Sequence, residues 1–125
     1  MNANRLGSTG TMAMPYGDGF YLTFSFPTGT DHTGRTMEFK IKNKKTEDEF
    51  SLTGPNTQIT VSDETIDVAI PSATTDGSSV PLSKIESLDD ESAYGFKVLD
   101  SGGLLIARFQ GDIRWVPDVG EFNTG

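Results

Sequence analysis

Short segments in which apolar and polar residues alternate dominate this sequence, and this alternation constrains the fold more than any other feature. In the first segment, which follows Gly19, the apolar members are Phe20, Leu22, Phe24 and Phe26. A period of two residues is typical of a β-strand that buries one face and leaves the other in solvent. The pattern recurs and predicts about seven strands, at residues 20–26, 37–42, 49–53, 59–61, 65–70, 92–99 and 104–116.

Turn residues separate these segments and indicate how the strands connect. Residues 101–103, Ser-Gly-Gly, predict a tight hairpin, and apolar residues spaced three apart within 82–88 predict one helical turn. Gly111 interrupts the last strand, where we expect a bulge or a bend. Short strands at spacings of about 8 to 15 residues are typical of a two-sheet sandwich or a small barrel. The odd number of strands and the long polar loop after Ile70 favour an all-β sandwich.

Length and composition limit the classes of function. The 125 residues suffice for one domain with one core. The chain has no Cys, which excludes disulfides, thiolate chemistry, Cys-bound zinc and iron–sulfur clusters. Its 18 acidic and 10 basic side chains give a formal charge of −8. This charge argues against a general binder of nucleic acid or of an acidic membrane, because phosphate groups require a basic face.

Targeting signals are not visible in the sequence. No apolar run approaches the roughly 20 residues that span a bilayer, and the N-terminus lacks a basic region followed by an apolar stretch. We therefore expect a protein that is made in a cytoplasm and is kept or assembled there.

The chain divides into an extended N-terminal arm at residues 1–18, a β-sandwich domain at 19–117 and a C-terminal tail at 118–125. The arm has no clear period, so it is either a frayed terminus or a segment that orders on a neighbouring subunit. Isolated apolar residues would anchor such a segment, and Met adapts well to irregular surfaces. The predicted partner contacts in the arm and tail are Leu6, Met12, Met14, Tyr16 and Phe122.

Few residues are candidates for catalysis. His32, the only His, lies in a Gly- and Thr-rich loop beside Asp31. A lone loop His with one carboxylate neighbour is rarely a base or a metal ligand, and no Ser or Thr lies in a recognisable nucleophile motif. We therefore expect no enzymatic activity, no catalytic residue, no resident metal and no cofactor.

Acidic residues are concentrated in one region of the chain. Between Asp63 and Glu91 there are eight acidic residues and one Lys, a local charge of −7. Asp63 with Glu64, or the acidic residues 89–91, could gather a calcium ion between loops, but the spacing of an EF-hand loop is absent. The region either faces a basic partner or stays in solvent.

Two further groups of side chains suggest binding functions. Four basic residues are close in sequence: Lys40, Lys42, Lys44 and Lys45. Acidic residues between 38 and 49 neutralise this stretch, so a nucleic-acid groove is not expected. Trp115 and Arg114 could form a sugar-stacking platform that Tyr21 or Tyr94 would complete. A single Trp in such a domain is more often part of the core or of an interface.

Several motifs follow one another in a recognisable order. They are a strand opened by Gly-Asp at 17–26, the turn Asp-His-Thr-Gly-Arg-Thr at 31–36 and the strand after it at 37–41, a hairpin at 59–70, a helical turn at 82–88, a Tyr-containing strand at 93–98 and a final strand at 111–119. This order resembles the small immunoglobulin-like β-sandwich modules of tailed-bacteriophage virions. It is similar in particular to the N-terminal domain of upper-baseplate and tail-fibre-attachment proteins.

The resemblance covers residues 17–119 and implies a single immunoglobulin-like antiparallel β-sandwich of about seven strands. It further implies a bacteriophage virion structural protein without catalytic residues. Members of the family often continue into a fibre or receptor-binding domain, whereas this chain ends at Gly125. The expectation is therefore a stand-alone accessory or adaptor subunit of the tail or baseplate.

The resemblance also implies the partners. They would be tail, baseplate or major capsid subunits, with homo-oligomers in the virion and no contact with nucleic acid or membrane. A capsid decoration protein, which clamps capsid subunits with the same arm, is the first alternative. A carbohydrate- or receptor-binding module is the second.

Overall fold

The described part of the chain is built from strands. The computed structural model describes residues 11–62, 64–74 and 80–117, which form eight strands and one 3₁₀ turn. In chain order these are β1 (Thr11–Pro15), β2 (Phe20–Ser25), β3 (Thr36–Asn43), β4 (Glu49–Gly54), β5 (Ile59–Ser62), β6 (Thr65–Ile70), the 3₁₀ turn (Leu82–Lys84), β7 (Glu91–Leu99) and β8 (Leu105–Val116). None of these described elements is a helix long and apolar enough to cross a membrane.

The strands form two sheets. One has five strands in the order β1-β8-β7-β3-β4, and the other has three strands in the order β2-β6-β5. Neighbouring strands are antiparallel except for β1 and β8, which are parallel. The predicted all-β, two-sheet sandwich is therefore confirmed, and the seven predicted strands correspond to β2–β8.

Aromatic rings join the two sheets in the core. Phe24 of β2 stacks on Phe96 of β7 with ring centroids 4.4 Å apart and planes 4° apart. Phe20 lies 4.8 Å from Phe39 of β3, and Phe24 also lies 4.7 Å from Phe109 of β8. All five rings are buried. Such pairs stabilise a fold by about 0.5–1.5 kcal/mol each beyond their burial, so the alternating Phe residues of β2 hold the small sheet on the large one.

A buried carboxylate closes one end of the sandwich, which we call the Glu86 end. The Glu86 carboxylate accepts hydrogen bonds from the backbone N–H of Gly19 at 3.0 Å and from the Ser72 hydroxyl at 2.6 Å. These bonds join the start of β2, the loop after β6 and the segment after the 3₁₀ turn. Charge-assisted hydrogen bonds are stronger than neutral ones, so this end of the small sheet is firmly tied to its covering segment.

Two other buried polar side chains complete the Glu86 end on the large sheet. The Asn43 amide donates to the Ile85 carbonyl at 3.1 Å, and its oxygen accepts two backbone N–H groups of the following turn at 2.8 and 3.0 Å. The Ser92 hydroxyl donates to the same carbonyl at 3.5 Å and accepts the Trp115 indole N–H at 2.9 Å. Buried polar atoms require such partners, and at this end each of these side chains has them.

The opposite end, which we call the His32 end, consists of the 27–35 loop between β2 and β3, the β4–β5 turn, the β5–β6 turn and the β7–β8 hairpin turn. β3 begins at this end where β7 finishes, since Thr36 pairs with Leu99, and β2 finishes at this end where β6 begins, since Ser25 pairs with Thr65. Pro55 of the β4–β5 turn lies close to residues 29–35, with which it lines one cleft at this end. Its loops surround a cleft, which is described below.

Gly111 does not interrupt β8, contrary to the sequence prediction. It pairs regularly with Tyr94, and the ladder irregularity lies instead opposite Val98 and Leu99. Val98 pairs with Ala107 and Leu99 pairs with Leu105, so one extra residue of β8 is accommodated beside the hairpin turn. Gly111 therefore lies within a regular part of the β7–β8 ladder.

Strand β1 (Thr11–Pro15) belongs to the five-stranded sheet, so a described part of the segment predicted as an arm pairs within the sandwich. Its fourth residue, Met14, is only 6% exposed. The reason is that Met12 and Met14 follow the period of two that marks the other strands. Surrounding Gly, Thr and Pro residues conceal this period in the sequence.

Candidate functional site

Strand β1 forms one edge of the five-stranded sheet and is the described part of the predicted docking arm. It pairs in parallel with β8, with Thr11 opposite Asp112 and Pro15 opposite Val116. The Tyr16 N–H extends this ladder by donating to the Val116 carbonyl at 2.6 Å. Its other side faces no strand in the sheet order of the described residues. A sheet edge of this kind offers unpaired backbone groups to a neighbouring chain.

The predicted arm anchors occupy different positions on this edge. Met14 is buried in the core, and Met12 is half-buried and packs against it. Tyr16, at the end of the strand, is 43% exposed. Leu6 and Phe122 lie outside the described residues. The structure therefore brings Met12 and Met14 together inside this chain and leaves Tyr16 on the surface, and contacts of all five with a partner stay a prediction.

Two glycines connect β1 to β2, and they differ in how closely they are surrounded. Gly17 has φ +91°, and a Cβ built there would meet no atom within 4 Å. Gly19 has φ +95°, and a Cβ there would collide with the Ile70 carbonyl and lie 2.9 Å from the backbone of Ser72. The Gly19 N–H is also held by Glu86. The connection is therefore fixed at Gly19 and open at Gly17.

A second exposed apolar feature lies at the His32 end. Leu104 and Leu105 follow the β7–β8 turn and are 70% and 49% exposed. The Asp100 carboxylate accepts the N–H groups of Gly102 at 2.8 Å and Leu104 at 2.9 Å, so the turn holds its shape. This pair was not among the contact residues predicted from the sequence, although two adjacent Leu residues directly after a Gly-Gly turn are a visible signal of an exposed apolar tip.

The 27–35 loop borders an open cleft of about 530 Å³, lined by residues 29–35, Pro55, Val61 and Glu64. The loop holds its own shape through the Asp31 carboxylate, which accepts the N–H of Thr33 at 2.9 Å and its hydroxyl at 2.6 Å. These hydrogen bonds, the hydroxyl first, lower the pKa of Asp31. The cleft thus has a charged rim on a well-formed loop.

His32 lies beneath this cleft and is 5% exposed. Burial, followed by the nearby Arg35 charge, lowers the pKa of His32, so the ring is neutral at pH 7. An Arg35 guanidinium nitrogen lies 3.3 Å from Nδ1. Because a guanidinium can only donate, Nδ1 accepts and Nε2 carries the proton. Nε2 is buried and has no hydrogen-bond partner among the described residues.

The structure does not form the sugar-stacking platform that the sequence left open as an alternative. Trp115 is 2% exposed, and its indole N–H is bonded to Ser92. Tyr94 is also buried, whereas Tyr21 is exposed on the other sheet. Arg114 alternates with Trp115 along β8 and lies on the exposed face. These side chains do not converge because the period of two directs Trp115 inward, to the core position that the sequence favoured over a sugar platform.

Charged side chains of the large sheet are locally balanced. Lys44 lies 2.9 Å from Asp112 and 3.6 Å from Glu91, and the hydrogen bond to Asp112 raises the pKa of Lys44. Lys45 lies 3.9 Å from Asp90. Within the described residues no group of three or more His, Asp or Glu side chains could hold a metal ion. Asp63 of the predicted acidic region lies outside those residues.

Two comparisons, with protein-family models and with curated proteins, found no match: no protein-family model matches the chain, and no curated protein matches it at a significant level.

Proposed function

We propose that this chain is a structural protein of a tailed-bacteriophage virion, an accessory or adaptor subunit of the tail or baseplate that docks on neighbouring virion proteins. The observation that carries the proposal is strand β1, a short parallel strand at the sheet edge that is joined to the sandwich through Gly17. The resemblance of residues 17–119 to immunoglobulin-like virion modules gives the proposal its biological setting, namely a virion assembled in the host cytoplasm.

The mechanism is geometric. The sandwich is a rigid block, because Phe contacts join its sheets and Glu86, Asn43 and Ser92 fix one end. Partners then contact two kinds of surface. The free edge of β1 offers backbone hydrogen-bonding groups, and the rigid tip at Leu104 offers apolar area to a pocket. Both are means of docking that need no chemical step.

The location of the protein in the particle tests the proposal. Purified virions of the phage that encodes the chain are probed with a gold-labelled antibody, and we expect label on the tail or baseplate. Label over the capsid shell would favour the alternative, a decoration protein that contacts major capsid subunits. Absence of the chain from purified virions would overturn the virion role altogether.

The exposed tip allows a sharper test of docking. The double variant Leu104→Asp/Leu105→Asp places charges on the tip, and we expect it to lose binding to isolated particles. Leu88→Asp is the matched control, because Leu88 is 52% exposed but lies in the segment before β7. Equal binding by both variants in a co-sedimentation assay would exclude the tip as a contact, while the folding of each is checked by circular dichroism.

A further inference from the structure

We propose that β1 is exchanged between two copies of this chain, so that β1 of one copy occupies the β8 edge of the other in the register seen here within one chain. This inference rests on the proposed docking function and names a second copy of the chain as the partner that receives β1 on its β8 edge, while the outer edge of β1 stays free for other virion proteins. Three features of β1 support the exchange: its attachment to β2, its pairing with β8 alone, and the fit of its Met side chains on the β8 edge.

The segment between β1 and β2 contains one glycine that is held in place, Gly19, and one that is free to act as a hinge, Gly17. Gly19 is held by its hydrogen bond to Glu86 and by the close backbone of Ile70 and Ser72. Gly17, two residues earlier, has open space around it and a φ of +91°. Rotation about Gly17 and Asp18 therefore redirects β1 without disturbing the start of β2. Glycine permits this rotation because it reaches backbone conformations that other residues avoid.

The pairing of β1 is independent of the other strands. Within the described residues β1 is hydrogen-bonded to β8 alone, and no hairpin joins the two, since the rest of the sandwich lies between them in the chain. Every other strand keeps its ladder when β1 leaves. By contrast β7 and β8 are joined by the tight turn at residues 100–104, so neither could leave without the other.

The edge of β8 already accommodates the side chains of β1. Met14 is buried where it pairs with Trp115, and Met12 pairs with Ile113 beside the core. A second copy carries the same β1 and the same β8, so reciprocal exchange restores every hydrogen bond and every Met contact. An exchange of identical elements costs little beyond the entropy of association and any change in strain of the hinge. High local concentration, as in a particle, favours it.

Single-Cys variants test the exchange, because the natural chain has no Cys. Ala13 and Arg114 are register partners on the exposed face of β1 and β8. Ala13→Cys protein is mixed with Arg114→Cys protein at high concentration, incubated and treated with a short bismaleimide. Exchange predicts a heterodimeric cross-link between the two variants that increases with protein concentration and incubation time.

The matched control uses a pair that cannot exchange alone. Gly95 and Gln110 are register partners on the same face, in β7 and β8, and a Cβ at Gly95 has open space. We expect the mixture of Gly95→Cys and Gln110→Cys to yield several-fold less heterodimer than the β1–β8 mixture. Equal yields would overturn the exchange, because they would show only random collisions of exposed thiols.

A hinge variant provides a second, independent readout in the chain without Cys. Gly17→Val strains the positive φ of the closed form, whereas an exchanged strand can leave that conformation. The dimer fraction in size-exclusion chromatography with light scattering should rise several-fold over the natural protein. An unchanged or smaller dimer fraction would count against exchange. If the natural chain is found in virions while neither assay detects exchange, the docking role stands, β1 stays paired with β8 of its own chain, and its free edge is left to a different protein.

Discussion

The two ends of the sandwich use buried polar side chains in opposite ways. At the Glu86 end, Glu86, Asn43 and Ser92 each bond to backbone or side-chain partners from distant parts of the chain. At the His32 end, His32 is equally buried, but its Nε2 has no partner among the described residues. An unmade hydrogen bond of a buried group costs more free energy than a made one returns. The Glu86 end is thus specified by its polar groups, whereas the His32 end holds its buried polar ring at a cost.

The difference in hydrogen bonding between the two ends matches the positions of the hinge and of the exposed surfaces. The Glu86 end fixes Gly19, the point from which β1 departs, so the position of the hinge is well defined. The His32 end carries the exposed Leu104 tip and the open cleft. A scaffold with one firmly bonded end can present variable features at the other without loss of the overall fold.

The largest loss of stability is expected from a substitution in the aromatic core, which lies between the two ends of the sandwich. Phe39 is fully buried and contacts the ring of Phe20 across the sheets. Phe39→Ala removes this contact and leaves a cavity, so the free energy of unfolding should fall by about 3–5 kcal/mol. Urea denaturation monitored by Trp fluorescence measures the loss. A change below about 1 kcal/mol would contradict the inward position of this side chain.

A smaller loss of stability is expected when either of two Asn residues is replaced. These two side chains lie at opposite ends of the sandwich and make the same three kinds of hydrogen bond. Asn43 bonds two backbone N–H groups and the Ile85 carbonyl. Asn56, in the β4–β5 turn, bonds two backbone N–H groups and the Thr53 carbonyl. Asn43 is 2% exposed and Asn56 is half-buried. Asn43→Ala should cost about 2–3 kcal/mol and Asn56→Ala about 1 kcal/mol, because water replaces lost partners only where it can reach them.

The same denaturation assay measures both Asn variants. Equal losses would show that the two ends are bonded with the same strength, and the contrast between them would not hold. A larger loss of stability in Asn56→Ala than in Asn43→Ala would show that the His32 end is the more strongly bonded one.

The sequence predicts the layers of this fold better than its loops. Alternating residues such as Phe20, Phe24 and Phe39 identify strands because each strand has one buried and one exposed face. The same rule applies to β1, but this strand has only five residues and ends in Pro, so too few alternations occur for the strand to be recognised in the sequence. The partners of Glu86 and Asn43 could not be predicted, since they are joined by contacts between residues far apart in sequence that only the folded backbone brings together.

A smaller effect is expected at the His32 end. His32→Phe removes the unpartnered N–H and keeps a flat ring beside Phe26, whose centroid lies 4.5 Å from that of His32. The lost contact with Arg35 is long, at 3.3 Å, and Arg35 is partly exposed and can bond to water. Stability should therefore stay the same or increase by up to about 1 kcal/mol. A loss as large as that of Asn43→Ala would mean that His32 has a structural partner.

The smallest expected effect is a pH dependence that arises from the same ring. Burial and Arg35 hold the pKa of His32 in the folded chain below its ordinary value of 6.5, which the unfolded chain retains. Between these two pKa values the unfolded state binds more protons, so the free energy of unfolding should decrease as the pH falls below about 6.5. Because His32 is the only His, His32→Phe should lack this contribution to the pH dependence. Urea midpoints of both proteins between about pH 7.5 and 5.5 measure the difference, and parallel curves would show that the His32 end exposes its ring to solvent as readily as the unfolded chain does.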